Sequence, residues 1–468
     1  LAATAGAALY HPDAQGLTET SVQKPPNVVY VFADQWRAQA TGYAGDPNAI
    51  TPRLDRLAAE SLNFENAVSG CPVCTPYRAS LLTGQYWLTH GLFMNDICLQ
   101  PKAPTLAEVF QAAGYDTAYI GKWHLDGHGR SNFIPRERRH GFEYWKALEC
   151  THNYNRSFYY GDTDEKLEWE GYDTIAQTRD ARQYLRARKH DKPFLLALSW
   201  GPPHAPYETA PERFRQRFLP ENVTLRPNVP EENAEAARRD LAGYYAHIAA
   251  LDECLGDLLD TLDECGLAED TLFIFTSDHG DLLYSQGQQK KQQPYDESIL
   301  VPFLLRHPRR LGNNGRKLAT LINTPDIMPT LLGWCGLPIP EGVEGRDFSQ
   351  ALLAGEDPEV PAAMLTCVAP FGQWPRARGG REYRGIRTLT HTYVRDLNGP
   401  WLLFDNERDP HQKENLCGRP EASDLQNHLG ALLQQELTTR GDAFLPAEHY
   451  IEQWGYTVDE TGTIPYTN

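Results

Sequence analysis

The sequence predicts an α/β fold in which a large, mostly parallel central sheet is flanked by helices. Three observations support this class: apolar runs of strand length recur along the chain, helical segments alternate with them, and several runs end in a polar residue. After residue 345 the alternation gives way to hairpin-like segments. We therefore predict a large domain over residues 26–345 and a smaller C-terminal α+β subdomain, with a small sheet and a helix, over residues 346–468.

The strands are predicted from continuous β-branched and aromatic runs, which a parallel sheet buries on both faces. NVVYVFAD is the clearest of these runs, and it ends in an acid. In chain order, the predicted strands cover residues 27–34, 116–124, 192–200, 271–280 and 300–308.

The helices are predicted from apolar residues three and four positions apart, with capping residues at their ends. Thr51 can cap the first helix and Pro52 suits its first position, whereas Gly114 ends the second. In chain order, the predicted helices cover residues 51–62, 103–115, 174–190, 231–265, 326–336 and 423–440.

Composition limits the classes of function. The 62 acidic residues exceed the 44 basic ones by 18, so the average surface should repel nucleic acid, and we expect no such partner. No apolar run approaches the ~20 residues of a transmembrane helix, so no membrane span is expected.

The first nine residues, LAATAGAAL, are small and apolar, like the end of an export signal. We interpret residues 1–25 as an export-signal remnant or N-terminal extension and predict a periplasmic or secreted protein.

Polar side chains with useful chemistry follow the ends of four predicted strands. Because the carboxyl ends of parallel strands meet at one edge of a sheet, these side chains are expected to share a cleft. They are Asp34, Lys122, His124, His204, Asp278 and His279.

Two acidic runs are candidates for a cation site. Asp34 and Gln35 follow the first strand, and Asp278 and His279 follow a later one. Two carboxylates, an amide and an imidazole suit a divalent cation; the oxygen donors favour calcium or magnesium, and the imidazole leaves manganese open. The alternative is that these acids only cap the helices that follow.

Two lysines and two histidines are candidates for anion binding and proton transfer. Lys122 and His124 lie two positions apart on a predicted strand and should share a face. His204 lies in a loop stiffened by three prolines, and Lys291 precedes a Pro-Tyr turn. The alternative for each is an ordinary solvated side chain.

The stretch CPVCTPYRASLLTG, residues 71–84, admits three interpretations: a redox pair, half of a metal site, or a nucleophile. No second Cys-x-x-Cys occurs, and prolines follow both cysteines closely, so the first two lose support. If Thr75 starts a helix, Cys74 lies at its N-cap and Arg78, one turn later, points back toward it. The stretch therefore predicts a site for an anionic nucleophile or substrate.

The same stretch resembles the type I sulfatases of the alkaline-phosphatase-like superfamily. Their motif Cys-x-Pro-x-Arg-x-x-x-Leu-Thr-Gly is matched at six fixed positions, and similar segments extend from PNVVYVFADQ to LLFDNERDPHQKENL. The resemblance implies an alkaline-phosphatase-like sandwich, with residues 26–345 as the catalytic sulfatase domain. It also implies a sulfuric ester hydrolase whose nucleophile is formylglycine, made from Cys74 by a separate formylglycine-generating maturation enzyme.

The resemblance also assigns roles to the catalytic residues. The hydrated aldehyde at position 74 would attack the sulfur of a sulfate ester, and Arg78 would orient it. His204 would protonate the leaving alcohol. His124 would be the base that collapses the sulfated hydrate and releases sulfate.

The remaining candidates would bind the substrate and a cation. Lys122 and Lys291 would hold the sulfate oxygens, and the cation would usually be calcium. The implied cation ligands are Asp34, Gln35, Asp278 and His279. Gln35 and His279 replace an aspartate and an asparagine that are common in the family, which leaves the identity of the cation open.

Two rival functions share part of the pattern. A phosphonate monoester or phosphodiester hydrolase of the same superfamily also uses Asp-Gln and Asp-His, but usually lacks the pair formed by Lys122 and His124. An inactive sulfated-glycan-binding protein would keep the lysines but lose the nucleophile or the cation ligands, none of which is lost here.

Aromatic segments favour a sulfated carbohydrate as the substrate. They surround Trp145, His152 and Trp374, and such rings can stack on sugars while neighbouring arginines bind further anionic groups. The alternative is that these aromatic residues only pack the interface between the two parts of the chain.

Overall fold

The computed structural model describes residues 24–188 and 191–466, so most of the predicted export-signal remnant, residues 1–25, lies outside it. Within that range the chain forms an eight-stranded sheet with helices on both faces, followed by a four-stranded antiparallel sheet. The predicted fold class, including the mostly parallel central sheet and the small C-terminal sheet, is confirmed. No helix of the described residues is long and apolar enough to cross a membrane.

The strands of the described residues are numbered here in chain order. They are β1 (Asn27–Asp34), β2 (Leu62–Val68), β3 (Asp116–Lys122), β4 (Tyr144–Leu148), β5 (Phe158–Tyr159), β6 (Leu167–Glu168), β7 (Phe194–Pro203), β8 (Thr271–Ser277), β9 (Phe303–Arg306), β10 (Arg316–Asn323), β11 (Ala363–Cys367), β12 (Tyr383–Arg387), β13 (His391–Asp396) and β14 (Gly399–Asp405).

The α-helices are numbered in the same way. They are α1 (Pro52–Ala59), α2 (Cys74–Thr83), α3 (Trp87–His90), α4 (Leu106–Ala112), α5 (Asp173–Arg186), α6 (Glu212–Arg215), α7 (Ala234–Glu264), α8 (Asp296–Ile299), α9 (Pro308–Leu311), α10 (Thr324–Trp334), α11 (Ser349–Leu353), α12 (Ser423–Thr439) and α13 (Ala447–Trp454).

The large sheet has the strand order β10-β2-β9-β8-β1-β7-β3-β4, and β9 is its antiparallel member. The central strand β1 pairs in parallel with both β7 and β8, which places Asp34 opposite Pro203 and Ala33 opposite Ser277. The residues that follow these strands therefore emerge side by side at one edge of the sheet.

Side chains of β1 alternate between two hydrophobic cores. Tyr30 and Phe32 pack with helices such as α2 and α10 on one face, and Val29 and Val31 pack with α5 and α7 on the other. Burying each such side chain stabilises the fold by about 1.5–3 kcal/mol. The strand is apolar throughout because it has no solvent-facing side, as its sequence predicts.

The C-terminal sheet is an antiparallel meander in the order β11-β12-β13-β14, and α12 packs against its middle strands. The predicted helix over 423–440 is α12. A buried ion pair between Arg387 of β12 and Asp296 of α8 joins this sheet to the large domain. The boundary between residues 345 and 346 stays a prediction.

Several predicted elements are wrong in their limits. The helix predicted over 51–62 stops at Ala59, because Leu62 already begins β2, which is paired with β9 and β10. The strand predicted over 116–124 stops at Lys122, and His124 has a positive φ of 58°. The helix predicted over 174–190 is α5, and the last two residues of that prediction lie outside the described residues.

Candidate active site

The carboxyl ends of β1, β3, β7 and β8 meet the first turn of α2 at one edge of the sheet. All ten residues predicted for the site lie in this region, and all are buried. They are Asp34, Gln35, Cys74, Arg78, Lys122, His124, His204, Asp278, His279 and Lys291.

Four of these residues form a compact set of potential metal ligands. One ligand atom each from Asp34, Cys74, Asp278 and His279 lies within 4.8 Å of the others. Nδ1 of His279 is 2.9 Å from the Gly280 carbonyl, an acceptor, so in the neutral ring Nδ1 carries the proton and Nε2 presents its lone pair to the cluster.

Gln35 borders this set through its backbone. Its backbone N–H donates to Asp278 Oδ1 at 3.0 Å, and its side-chain amide donates to Asp281. Its Oε1 is buried without a hydrogen-bond partner among the described residues. A buried oxygen left unpaired is costly, and a cation would satisfy it. The donor set therefore fits an oxygen-preferring divalent cation with one imidazole ligand.

The two carboxylates are electrostatically distinct. Burial, together with the charge of Asp34, raises the pKa of Asp278 to about 6. Burial would also raise the pKa of Asp34, but Lys122 and Lys291 lower it well below its ordinary value. Lys122 Nζ is only 2.6 Å from Asp34 Oδ2. A divalent cation held by these residues would lower the pKa of Asp278, because it would offset the charge of Asp34.

Cys74 lies in a strongly cationic environment. Its sulfur accepts from Lys291 Nζ at 3.0 Å and Lys122 Nζ at 3.6 Å, and His279 Nε2 is 3.3 Å away. Burial and Asp34 would raise the pKa of the thiol, but the two lysines and His279 lower it well below its ordinary value. We predicted Cys74 at the N-cap; it is the first helical residue of α2, and Val73 is the N-cap.

Cys71 shows that this effect belongs to residue 74 alone. Burial raises the pKa of Cys71 to about 12, the opposite direction from that of Cys74. Both cysteines are free thiols. The cluster of potential metal ligands that contains Cys74 includes no second cysteine, so the redox-pair and zinc interpretations find no support in the described residues.

The Arg78 guanidinium interacts electrostatically with Cys74, the direction that we predicted, although no hydrogen bond joins the two among the described residues. It donates to the Lys122 carbonyl at 2.6 Å and to Ser199 Oγ at 2.8 Å. Its other terminal nitrogen is 3.3 Å from Asp278. The guanidinium therefore ties α2 to β3 and β7 and helps to balance the buried carboxylates.

His204 follows β7 between two prolines that have cis peptide bonds, Pro203 and Pro206. Its Nδ1 is 2.8 Å from the Ala205 carbonyl, so Nδ1 carries a proton and the ring orientation is fixed. Burial and the nearby Lys291 lower its pKa well below the ordinary value. The ring of His152 stacks on it, with centroids 4.6 Å apart.

His124 lies beyond the end of β3, so it does not share a strand face with Lys122 as predicted. Its Nε2 is 3.3 Å from Asp96 Oδ1. Its Nδ1 is buried and has no hydrogen-bond partner among the described residues. Burial would lower its pKa, but the nearby Cys150 and the Asp96 hydrogen bond raise it, to about 9.

The aromatic residues predicted to bind sugar divide into two groups. Trp145 packs on Tyr119 and Trp123 and is buried, and Trp374 is buried against Trp401. These tryptophans are therefore core residues. His152 is exposed and lies next to a residue of the site, so its segment keeps the proposed role.

Sequence reasoning missed the side chains that hold the site together. Asp96 and Ser199 contact the predicted residues His124 and Arg78, and behind them Asn95 binds Thr75 and Arg130 binds Asp96; no motif marks any of the four. Their signal is spatial, because each lies at least 20 positions from the residue it binds.

The fold and this buried, cation-rich site with its ligand cluster define a hydrolase of the alkaline-phosphatase-like superfamily. The sulfatase family model matches residues 26–337, and the chain belongs to that family; it is a sulfuric ester hydrolase. A second model, described as the C-terminal part of N-sulphoglucosamine sulphohydrolase, matches residues 286–439.

Curated relatives and solved structures agree with this membership. An ulvan-active sulfatase from Formosa agariphila is 47% identical over 448 residues, which cover 94% of this chain and 87% of that protein. An endo-4-O-sulfatase from Bacteroides thetaiotaomicron is 32% identical, covering 88% of this chain and 92% of that protein. A solved sulfatase structure from Bacteroides fragilis has a TM-score of 0.82 and 29% identity, covering 93% of this chain and 100% of that chain.

Proposed function

We propose that the protein removes sulfate from a sulfated polysaccharide or oligosaccharide. Its nucleophile would be formylglycine derived from Cys74, and its cofactor a divalent cation, with calcium as the first candidate. The observation that carries the proposal is the environment of residue 74. It is a buried position held between two lysines and beside two carboxylates and an imidazole. Such a site stabilises an anionic nucleophile and an anionic substrate together.

The two bound groups would supply the central chemistry. Formylglycine supplies hydrated-aldehyde hydroxyls as the nucleophile, and the cation acts as a Lewis acid that favours their ionised form. The residues that would hold the cation are Asp34, Gln35, Asp278 and His279. The Cys74 sulfur marks the place of the first nucleophile oxygen in the matured protein.

The chain's own side chains would bind the sulfate and move protons. Lys122 and Lys291 would hold sulfate oxygens, because both ammonium groups already lie within reach of residue 74. His204 would give a proton to the leaving alcohol; because its pKa is lowered in the free protein, this role requires the negative charge of the bound sulfate ester to raise that pKa. His124 in its neutral form would take the proton that must leave the group at position 74 when sulfate is released, and because its pKa is raised to about 9 this step should become faster as the pH rises toward that value. Arg78 would keep α2 and the carboxylates in register.

A carbohydrate is the substrate class that the surroundings favour. The exposed His152 stacks on His204, the residue proposed to protonate the leaving alcohol, and Arg156 in the same segment is exposed with no ion pair among the described residues. An imidazole face suits a sugar ring, and an unpaired guanidinium suits a further carboxylate or sulfate. The similarity to an ulvan-active sulfatase makes ulvan the first candidate.

Maturation and location complete the proposal. We infer that a formylglycine-generating enzyme acts on Cys74 before the site is buried, and that the protein is exported to the periplasm or secreted. Peptide mass spectrometry of protein co-expressed with that enzyme would detect the conversion of Cys74. A chain that stays fully in the thiol form but still hydrolyses sulfate esters would contradict the assignment of the nucleophile.

Sulfate release from defined substrates tests the function. Matured protein should release sulfate from ulvan oligosaccharides, measured by ion chromatography, and Cys74→Ala should release none. Activity confined to small aryl or choline sulfates would refute the carbohydrate proposal. A strong preference for a 4-nitrophenyl phosphate diester over 4-nitrophenyl sulfate would instead favour the phosphodiesterase alternative.

A further inference from the structure

A buried carboxylate holds one side of His124. Asp96 is 5% exposed, and its Oδ1 lies 3.3 Å from His124 Nε2. The same carboxylate accepts two hydrogen bonds from Arg130, each 2.8 Å long, one from Nε and one from Nη2. Burial would raise the pKa of Asp96, but the hydrogen bonds from Arg130 and His124 lower it, so the group is an ionised acceptor at neutral pH.

This arrangement fixes the tautomer of the histidine. An ionised carboxylate can only accept, so the neutral ring of His124 must carry its proton on Nε2. Nδ1 is then the atom with the lone pair. It is buried and meets no geometric hydrogen-bond criterion among the described residues, but the ring lies close enough to Cys74 to interact with its side chain. The Asp96 contact is therefore what favours the proton on Nε2 over Nδ1.

The segment that carries Asp96 also holds the helix of residue 74. The Asn95 side-chain oxygen accepts from the Thr75 backbone N–H at 3.1 Å. The Thr75 hydroxyl donates to the His124 carbonyl at 2.9 Å. Residues 95 and 96 therefore connect the first turn of α2 and His124 in a closed set of hydrogen bonds. A change at Asp96 acts on the relative position of the two groups.

Arg130 is held in turn by the C-terminal segment. The ring of Tyr466 lies over its guanidinium, 3.6 Å from the centroid. A cation over an aromatic face is attracted by the ring. The arginine is thus clamped between a carboxylate and a ring, which fixes the carboxylate that faces His124.

We propose that Asp96, held by Arg130, is a positioning residue for catalysis: it sets His124 in the Nε2–H tautomer and directs Nδ1 as the proton acceptor toward the group at position 74. The inference rests on the proposed function, since it refines the role of His124. The competing explanation is an ion pair that only stabilises the fold.

Nitrogen NMR of the unmatured thiol protein tests the tautomer without any activity. With ¹⁵N-histidine labelling, the His124 signals are those lost in His124→Gln. Because the pKa of His124 is raised to about 9, the spectra are recorded above that pH, where the ring is neutral. There the Nε2-protonated form should dominate in the wild type, and Asp96→Asn should give a mixture of tautomers. Asp126→Asn is the matched control: Asp126 is also buried and paired with an arginine, Arg138, but among the described residues it forms no hydrogen bond or ion pair with His124. An unchanged tautomer in Asp96→Asn overturns the proposal.

Kinetics of the matured protein provide the second measurement. Asp96→Asn should lower kcat by about 10²-fold, because a misdirected base loses most of the benefit of general-base catalysis, while KM stays near its original value. Arg130→Lys, which keeps the positive charge, should lose less. Equal kinetic losses in Asp96→Asn and Asp126→Asn would assign Asp96 to the fold alone. An inactive wild type would refute the proposed function, whereas the NMR result would still decide the tautomer.

Discussion

The electrostatic contrast between Cys71 and Cys74 arises from their neighbours rather than from burial, since both thiols are buried. Cys71 lies in apolar surroundings, so its charged form is disfavoured. Cys74 has two ammonium groups within 3.6 Å, and these outweigh its desolvation. The sequence motif identifies Cys74, but only the structure explains why an anion is stable there.

Lys291 is the residue-scale test of this electrostatic account. Lys291→Gln should lower kcat/KM for a sulfate ester by about 10²–10³-fold, because one preorganised donor to a developing anion is removed. Steady-state kinetics on 4-nitrophenyl sulfate measure the effect. Lys290→Gln is the matched control: Lys290 bonds to Tyr207 and makes no contact with Cys74. Equal losses in both variants would mean that the loop, not the charge at residue 74, controls activity.

At the scale of elements, α1 depends on a cap from another helix. Thr51 makes no side-chain cap bond to the helix; instead Asp252 of α7 accepts from the backbone N–H groups of Leu54, at 2.8 Å, and Arg53, at 3.2 Å. The pattern of Thr51 and Pro52 located the helix start correctly. It could not reveal the distant carboxylate, because that partner lies 198 positions away.

Asp252→Ala should cost about 1–2 kcal/mol of unfolding free energy through the lost cap, measured by chemical denaturation. Asp252→Asn keeps an acceptor and serves as the control.

Burial raises the pKa of Asp252 to about 6, so the folded protein holds this proton more tightly than the unfolded chain. That contribution to stability is complete below about pH 4 and is lost as the pH rises through about 6. The stability of Asp252→Asn relative to wild type should therefore increase between pH 4 and pH 8, and a constant difference would contradict the assignment.

Local pattern predicted some elements well and others not at all. The buried strand NVVYVFAD is β1 over its full length, since an apolar β-branched run has few alternatives. By contrast β2, LNFENAV, has polar residues in its middle and is absent from the predicted strands; only its first residue, Leu62, falls within the helix predicted over 51–62. Pairing with β9 and β10 decides its conformation, and such long-range pairing is not visible in a single local window. For the same reason, the sequence did not identify Asp96 and Arg130 as residues that support the site.

At the scale of the whole molecule, the C-terminal sheet supports the loop that carries Lys291. Gln292 donates to the Phe371 carbonyl, and the Tyr383 hydroxyl donates to the Gln292 carbonyl, each at 2.9 Å. Four residues further on, Asp296 forms its ion pair with Arg387. The second family model begins at residue 286, so it includes this loop together with the C-terminal sheet. The sheet is therefore part of the anion site, although no side chain of the sheet contacts Cys74 among the described residues.

Arg387→Ala tests whether the C-terminal sheet positions Lys291. The change leaves Asp296 buried without its ion-pair partner and should destabilise the protein by about 3–5 kcal/mol. It should also lower kcat/KM at a temperature where the variant is still folded, because the loop that holds Lys291 loosens. Arg381→Ala is the matched control, because Arg381 pairs with Asp396 of the same sheet but the Arg381 side chain is 41% exposed. This variant should lose no more than about 1 kcal/mol of unfolding free energy and keep its kcat/KM. Thermal unfolding and sulfate release measured on the same samples separate the two effects. If Arg387→Ala lowers stability but leaves kcat/KM unchanged, the C-terminal sheet supports the fold and not the position of Lys291.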